Sequence, residues 1–205
     1  MPAETFGTLF LQQLKATPFA EWVAFIFGVL QVALALANRR LNFVAGLISV
    51  GLYTVLFYEA GLFAESILNA YYVVISIAGW VAWSGSGQAP AITRCSGKEQ
   101  LQALVLSLLA WGILYGVLLR FTSSTVPATD ALVTALAWAG SWLLMRRKLE
   151  NWLWLNASNV VAIPLQLSKG MALTSVLTLI YFVMALAGYW QWRREIRNAG
   201  FHSSL

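Results

Sequence analysis

Long apolar stretches alternate with short polar or charged segments along the whole chain. A helix needs about 20 mostly apolar residues to cross the roughly 30 Å hydrocarbon core of a bilayer. The stretches are continuously apolar and do not alternate with a period of two, which favours helices over the strands of a membrane barrel. The pattern predicts an all-α integral membrane protein with seven transmembrane helices, at residues 19–37, 42–58, 62–83, 101–121, 128–145, 152–167 and 171–192.

The amino-acid composition is also typical of an integral membrane protein. Of its 205 residues 60% are apolar and 10% are charged, whereas a soluble domain carries about 25% charged residues. The net charge of +5 does not indicate a nucleic-acid partner, because the basic residues form short clusters between apolar runs. Cys95 is the only cysteine, which excludes an internal disulfide and a cysteine-based metal cluster. No catalytic motif or phosphate-binding loop is present, so we expect no enzyme, no metal and no cofactor.

The basic residues predict the orientation. Seven crossings place the two termini on opposite sides, and ten of the 13 Lys and Arg residues then fall on one side. These ten are Arg39, Arg40, Arg94, Lys98, Arg146, Arg147, Lys148, Arg193, Arg194 and Arg197. By the positive-inside rule this side is cytoplasmic, with the N-terminus outside and the C-terminus inside. Trp80, Trp83, Trp190 and Trp192 are expected at the inner interface as an aromatic belt.

An internal repeat appears when the chain is shifted against itself by 109 residues. Structurally special residues then coincide without a gap, among them Pro18 on Pro127, Asn42 on Asn151, Tyr72 on Tyr181, Gly79 on Gly188 and Trp83 on Trp192. Three helices per repeat require one further helix to keep both copies in the same orientation. The sequence therefore predicts a single membrane domain with repeat one at 18–83, a linker helix at 101–121 and repeat two at 127–192. This 3+1+3 parallel arrangement is that of sugar-exporter, or SWEET-like, folds, which place a substrate site between the repeats near the midplane.

Several motifs resemble the PnuC family of vitamin transporters. They are the 79–83 segment GWVAW with its echo GYWQW at 188–192, ENWLW at 150–154, and the GLFAES and KGMALT segments at 61–66 and 169–174, which lead to Tyr72 and Tyr181. The resemblance implies a facilitative carrier of a B-vitamin precursor in a bacterial inner membrane, with phosphorylation inside the cell trapping the product. Nicotinamide riboside is the expected substrate, and thiamine or riboflavin are the alternatives.

Polar side chains within the predicted spans mark the candidate site, because they are costly in lipid unless they face the bundle interior or a wet cavity. Trp152, Asn156 and Asn159 share one face of span six, and Asn69 and Tyr72 share one face of span three. The remaining candidates are Gln31, Thr178 and Tyr181. Aromatic rings can stack on a heterocycle or face a cation, and Asn both donates and accepts hydrogen bonds. The alternative is that these residues only join helices to one another.

Competing functions are an intramembrane lipid-modifying enzyme and a receptor-like sensor. The repeat favours a carrier whose partners are a small vitamin and the bilayer, and whether it forms a homo-oligomer is left open. No span contains a histidine or a symmetric carboxylate pair at mid-depth, so transport is predicted to be uncoupled from ion gradients.

Overall fold

Seven long helices form the described part of the chain. The computed structural model describes residues 17–59, 63–84, 91–122, 125–168 and 172–202, together with positions 7, 8, 11, 12 and 15. The helices within these ranges are α1 (Phe19–Leu36), α2 (Leu41–Glu59), α3 (Phe63–Ser84), α4 (Gly97–Phe121), α5 (Pro127–Met145), α6 (Asn151–Ser168) and α7 (Ala172–His202). Each lies where an apolar stretch predicts one, so the all-helical class and the order of the helices are confirmed.

Two helices differ from their predicted bounds by more than one residue. α4 begins four residues early because Ser96 caps it: the Ser96 hydroxyl accepts from the Glu99 N–H, and the Glu99 carboxylate accepts from the Ser96 N–H at 2.9 Å. α7 continues ten residues beyond its predicted end at Trp192, to His202. Hydropathy predicts where a helix leaves the lipid, but the polar residues that follow are good helix formers and continue the helix.

Within the described part of the chain, four helices are long and apolar enough to cross a membrane by length and composition alone: Phe19–Leu36, Gly97–Phe121, Pro127–Met145 and Ser175–Ala199. The segments Leu41–Leu56 and Tyr71–Ser84 are shorter apolar helices. α6 is not among these apolar helices, because it carries four amide side chains: Asn151, Asn156, Asn159 and Gln166. A helix with so many amides must turn them toward protein and not toward lipid. The chain is thus a multi-pass membrane protein with one distinctly polar helix.

Six of the helices close into a ring. Successive helices pack together in α1–α2–α3 and in α5–α6–α7, and the two groups meet where α1 packs against α7 and α3 against α5. α4 packs against α5 and exposes Leu108, Leu109 and Ile113. The ring therefore surrounds a central region toward which both groups contribute helices.

Matching contacts occur in the two groups at the 109-residue offset. The Ser49 hydroxyl donates to the Ala24 carbonyl at 2.8 Å, and the Ser158 hydroxyl donates to the Val133 carbonyl at 2.7 Å. Each bond ties the middle of the second helix of its group to the first helix.

The turns between these helices match in the same way. Asn42 and Asn151 are fully buried, and each donates to the carbonyl three residues earlier, at 2.7 and 2.6 Å. Four residues before each of them, Asn38 and Arg147 adopt left-handed backbone conformations with φ of 58° and 54°. The same local geometry thus ends the first helix and starts the second in both groups.

A cluster of aromatic rings fills the arginine-rich end of the ring. Trp83 and Trp192, expected in an interfacial aromatic belt, are only 2% and 0% exposed, so both rings pack inside the protein and neither faces the lipid as a belt residue does. Phe43 lies on Gly79 and Trp152 lies on Gly188, where a Cβ would collide with the ring. The absence of a side chain at each glycine lets the helices approach closely and turns the rings inward. Trp80 is half-buried and Trp190 is exposed, as a belt residue should be.

Candidate functional site

The candidate residues of three helices lie at mid-depth in the ring. Tyr72 comes nine residues after the start of α3, Tyr181 nine after the start of α7, and Asn159 eight after the start of α6. At 1.5 Å per residue these positions are about 12–14 Å from the helix ends. α3 and α7 start on one side and α6 on the other, so all three positions converge near the middle.

The amides of α6 form a pair. Asn159 donates through Nδ2 to the Asn156 Oδ1 at 3.2 Å, and Asn156 is 9% exposed. The bond uses one donor of Asn159 and one lone pair of Asn156, and each amide has further donor and acceptor capacity. The predicted proximity of the two residues on one helical face is therefore observed.

α7 contributes Thr178 and Tyr181. The Thr178 hydroxyl donates to the Gln166 Oε1 at 2.8 Å and so links α7 to α6. The Tyr181 hydroxyl lies beside Gly28 on α1, where a Cβ would stand, and Ser49 of α2 borders the same space. Sequence reasoning missed Gln166 as a site residue, although its spacing of seven from Asn159 places both on one face of α6.

Gln31 fills the contact between α1 and α2. A Cβ at Gly46 would lie 2.8 Å from the Gln31 Cδ, so the amide side chain occupies the space that glycine leaves. At the equivalent contact in the second group the sizes are exchanged, because Leu155 of α6 lies on Gly140 of α5. A polar amide from the first helix thus fills the contact that, in the second group, a leucine from the second helix fills.

α3 meets α5 through aromatic rings. Tyr71 stacks on Trp138 with ring centroids 4.4 Å apart, and its hydroxyl donates to the Trp138 carbonyl at 2.8 Å. Tyr72 lies edge-on to Tyr71 at 5.8 Å, and Asn69 is half-buried one turn away. Sequence reasoning missed Tyr71 and Trp138, since nothing along the chain indicates which aromatic residues face each other across helices.

Trp152 lies apart from the other candidates. It is 1% exposed, packs edge-on to Trp192 at 5.4 Å and covers Gly188 within the aromatic cluster. This places its ring one helical turn from Asn156, toward the arginine-rich end.

A buried arginine closes this end of the ring. Arg147 is 2% exposed, and its guanidinium carbon lies 4.4 Å from the centre of the Trp83 ring. Burial lowers the pKa of Arg147 to about 10, while the carboxylate of Glu195 acts in the opposite direction. The group therefore remains charged at neutral pH. Among the described residues its Nε and Nη1 atoms have no hydrogen-bond partner.

The mid-depth set is uncharged and combines amides, hydroxyls and tyrosine rings. Such a set can hydrogen-bond a carboxamide or a sugar hydroxyl, and a tyrosine face can lie against a planar cation at a gain of about 0.5–2 kcal/mol. It offers no fixed positive charge to a buried phosphate.

Comparison with known proteins identifies relatives over nearly the whole chain. The sequence profile of the nicotinamide mononucleotide transporter family matches residues 18–194. The nicotinamide riboside transporter PnuC of Escherichia coli (strain K12) is 24% identical over 208 residues, covering 88% of this chain and 87% of the relative. The protein of that name from Neisseria mucosa is 26% identical over 194 residues, covering 86% of this chain and 72% of the relative.

A solved structure has the same fold. The crystal structure of the vitamin B3 transporter PnuC superimposes with a TM-score of 0.72 at 20% identity, covering 94% of this chain and 88% of that chain. The ring of helices is thus shared with a protein of known structure.

Proposed function

Since the chain belongs to the nicotinamide mononucleotide transporter family, we propose that it carries nicotinamide riboside across a bacterial inner membrane by facilitated diffusion. The relatives from Escherichia coli and Neisseria mucosa are named as nicotinamide riboside transporters. The choice of substrate rests on one observation, the uncharged set of amides and tyrosines at mid-depth. The riboside has a pyridinium ring, a carboxamide and ribose hydroxyls, all of which such a set can bind.

The absence of phosphate separates the riboside from the mononucleotide. A phosphate doubly charged near neutral pH is costly to bury without a paired cation. Gln31, Asn156, Asn159, Thr178 and Tyr181 are all uncharged. The mononucleotide should therefore be excluded from this site.

The proposed site lies between two parallel three-helix units. One unit contributes Gln31, Asn69 and Tyr72, and the other contributes Trp152, Asn156, Asn159, Thr178 and Tyr181. The units are residues 18–83 and 127–192. Between them, α4 is the additional helix that gives both units the same orientation in the membrane. Two observations support this arrangement. Ser49 and Ser158 make matching hydrogen bonds. The first helix of each unit packs against the third helix of the other unit, α1 against α7 and α5 against α3. Rocking of one unit against the other would expose the site to each side in turn. Trp152 would then form the floor of the site.

All seven helices cross the membrane in this proposal, and the arginine-rich side faces the cytoplasm. Support comes from the ten basic residues on that side. Phosphorylation of the riboside inside the cell would keep it from returning, because the phosphate cannot enter the uncharged site.

Uptake of radiolabelled nicotinamide riboside into proteoliposomes tests the proposal. Without an imposed membrane potential, the riboside should reach equal concentrations inside and outside, and a proton or sodium gradient should not change that level. Excess unlabelled riboside should compete and the mononucleotide should not. Competition by thiamine or riboflavin alone would reassign the substrate, and gradient-driven accumulation would refute facilitated diffusion.

A further inference from the structure

A cleft with four arginines lies at the arginine-rich end of α7. It has a volume of about 510 Å³ and is lined by Arg94, Trp190, Arg193, Arg194, Ile196 and Arg197. Three of the arginines come from the polar extension of α7, and Arg94 comes from the segment that leads into α4. Four guanidinium groups thus surround one space.

Backbone pairing fixes the segment that carries Arg94. The Thr93 N–H donates to the Arg147 carbonyl at 3.1 Å, and the Leu149 N–H donates to the Thr93 carbonyl at 2.9 Å. The Cys95 N–H donates to the Glu150 carboxylate at 2.7 Å. Ile92 and Ile196 pack against the same aromatic cluster, so Arg94 is held beside α7.

The carboxylates described on this side bind partners other than the four arginines of the cleft. Glu99 pairs with Lys148 at 2.9 Å and with Arg146 at 3.7 Å. Glu150 accepts from Cys95, and Glu195 accepts from Asn38 at 3.3 Å. Within the described ranges the four arginines of the cleft therefore have no salt bridge. Neither segment 85–90 nor segment 198–205 contains an Asp or Glu.

Trp190 places the cleft at the level of lipid headgroups. It is 58% exposed, and the Arg193 guanidinium carbon lies 5.6 Å from its ring centre. Exposed tryptophans of membrane helices are enriched at the interface, where basic pockets bind anionic headgroups. A guanidinium fork matches two phosphate oxygens at once.

We propose that this cleft binds the phosphate of an anionic phospholipid on the arginine-rich side of the protein. The lipid would neutralise part of the positive charge and lie with its chains along the exposed apolar surface of α7. The proposal is independent of the vitamin that the protein carries, because the cleft and the mid-depth site share no residue.

Lipid titration of the full chain in neutral detergent, followed by native mass spectrometry, tests the proposal. Phosphatidylglycerol should bind more tightly than phosphatidylcholine at constant ionic strength. In the double variant Arg193→Gln/Arg197→Gln, phosphatidylglycerol affinity should fall about thirtyfold, or about fivefold for each arginine. The variant Arg193→Lys/Arg197→Lys keeps the charge and should retain most of the affinity.

The matched control is Arg39→Gln/Arg40→Gln. It removes two charges from the same side, and Arg40 also lies over a tryptophan, 4.9 Å from the Trp80 ring centre. This control should lose less than roughly threefold. Equal losses in both Gln variants, or no loss in either, would refute a specific site. Displacement of the lipid by millimolar glycerol phosphate would assign the site to a soluble phosphate ester and refute the lipid. If the double variant does not fold, Arg197→Gln alone should still show the fivefold loss.

Discussion

Replacement of Gly188 by alanine tests the close approach of α6 and α7. The added Cβ would lie 2.6 Å from the Trp152 Cε2, 2.7 Å from its Cζ2 and 2.9 Å from its Cδ2. These are rigid ring atoms of a residue that is 1% exposed, so the indole cannot swing into solvent. Either the helices separate or the aromatic cluster is displaced.

The magnitude follows from two opposing effects. Overfilling a packed site costs about 1–3 kcal/mol, whereas exchanging glycine for alanine in a helix returns about 0.5–1 kcal/mol. The expected net destabilisation is about 1–2 kcal/mol, or roughly 2–8 °C in the apparent unfolding midpoint of a chain of this size. Gly79→Ala should behave alike, because a Cβ there would meet the ring of Phe43.

Thermal unfolding in detergent, with two matched variants, measures the effect. Gly112 of α4 has no atom within 4 Å of the position of an added Cβ, so Gly112→Ala should be neutral or slightly stabilising. In a Trp152→Leu background the methyl group of the alanine at position 188 has room. A double-mutant cycle of Gly188→Ala and Trp152→Leu should therefore give a coupling energy of about 1–2 kcal/mol. A Gly188→Ala variant as stable as Gly112→Ala, or a cycle without coupling, would show that Trp152 does not pack on Gly188 as described.

Three further predictions concern the site, the orientation and the lone thiol. Asn156→Leu and Asn159→Leu should each weaken riboside binding by about ten- to a hundredfold, or about 1–3 kcal/mol, as measured by ligand titration; unchanged affinity in both would remove α6 from the site. A reporter fused after Trp192 should report the cytoplasm, and a periplasmic signal would reverse the proposed orientation. Burial raises the pKa of Cys95 to about 12, and its hydrogen bond with Glu150 adds to the shift. Cys95 should therefore alkylate slowly at pH 8–9, and Glu150→Gln should accelerate the reaction; equal rates would contradict the contact.

The pH dependence of stability has a defined sign for Cys95. Its thiol keeps its proton in the folded chain up to a pKa of about 12, compared with an ordinary value of 9.0. Because the folded pKa is the higher one, the contribution to stability is complete below pH 9 and is lost as the pH rises toward 12.

The sequence by itself determined the helices and their order. Apolar runs interrupted by charge, proline and glycine predict all seven, because backbone groups in lipid must be satisfied within a helix. Spacing along one helix also predicted that Asn156 and Asn159 lie together. The repeat at a 109-residue offset stays a prediction, and at that offset Ser49 and Ser158 make equivalent bonds.

Only the tertiary structure decided which side chains meet across helices. Thr178 binds Gln166, the Tyr181 hydroxyl lies on Gly28, and Trp83 and Trp192 are buried inside the protein and do not face the lipid. The physical reason is that lipid is as apolar as a protein core, so hydropathy cannot distinguish a lipid-facing position from a packed one. That choice depends on where glycines let helices approach and which rings fill the space.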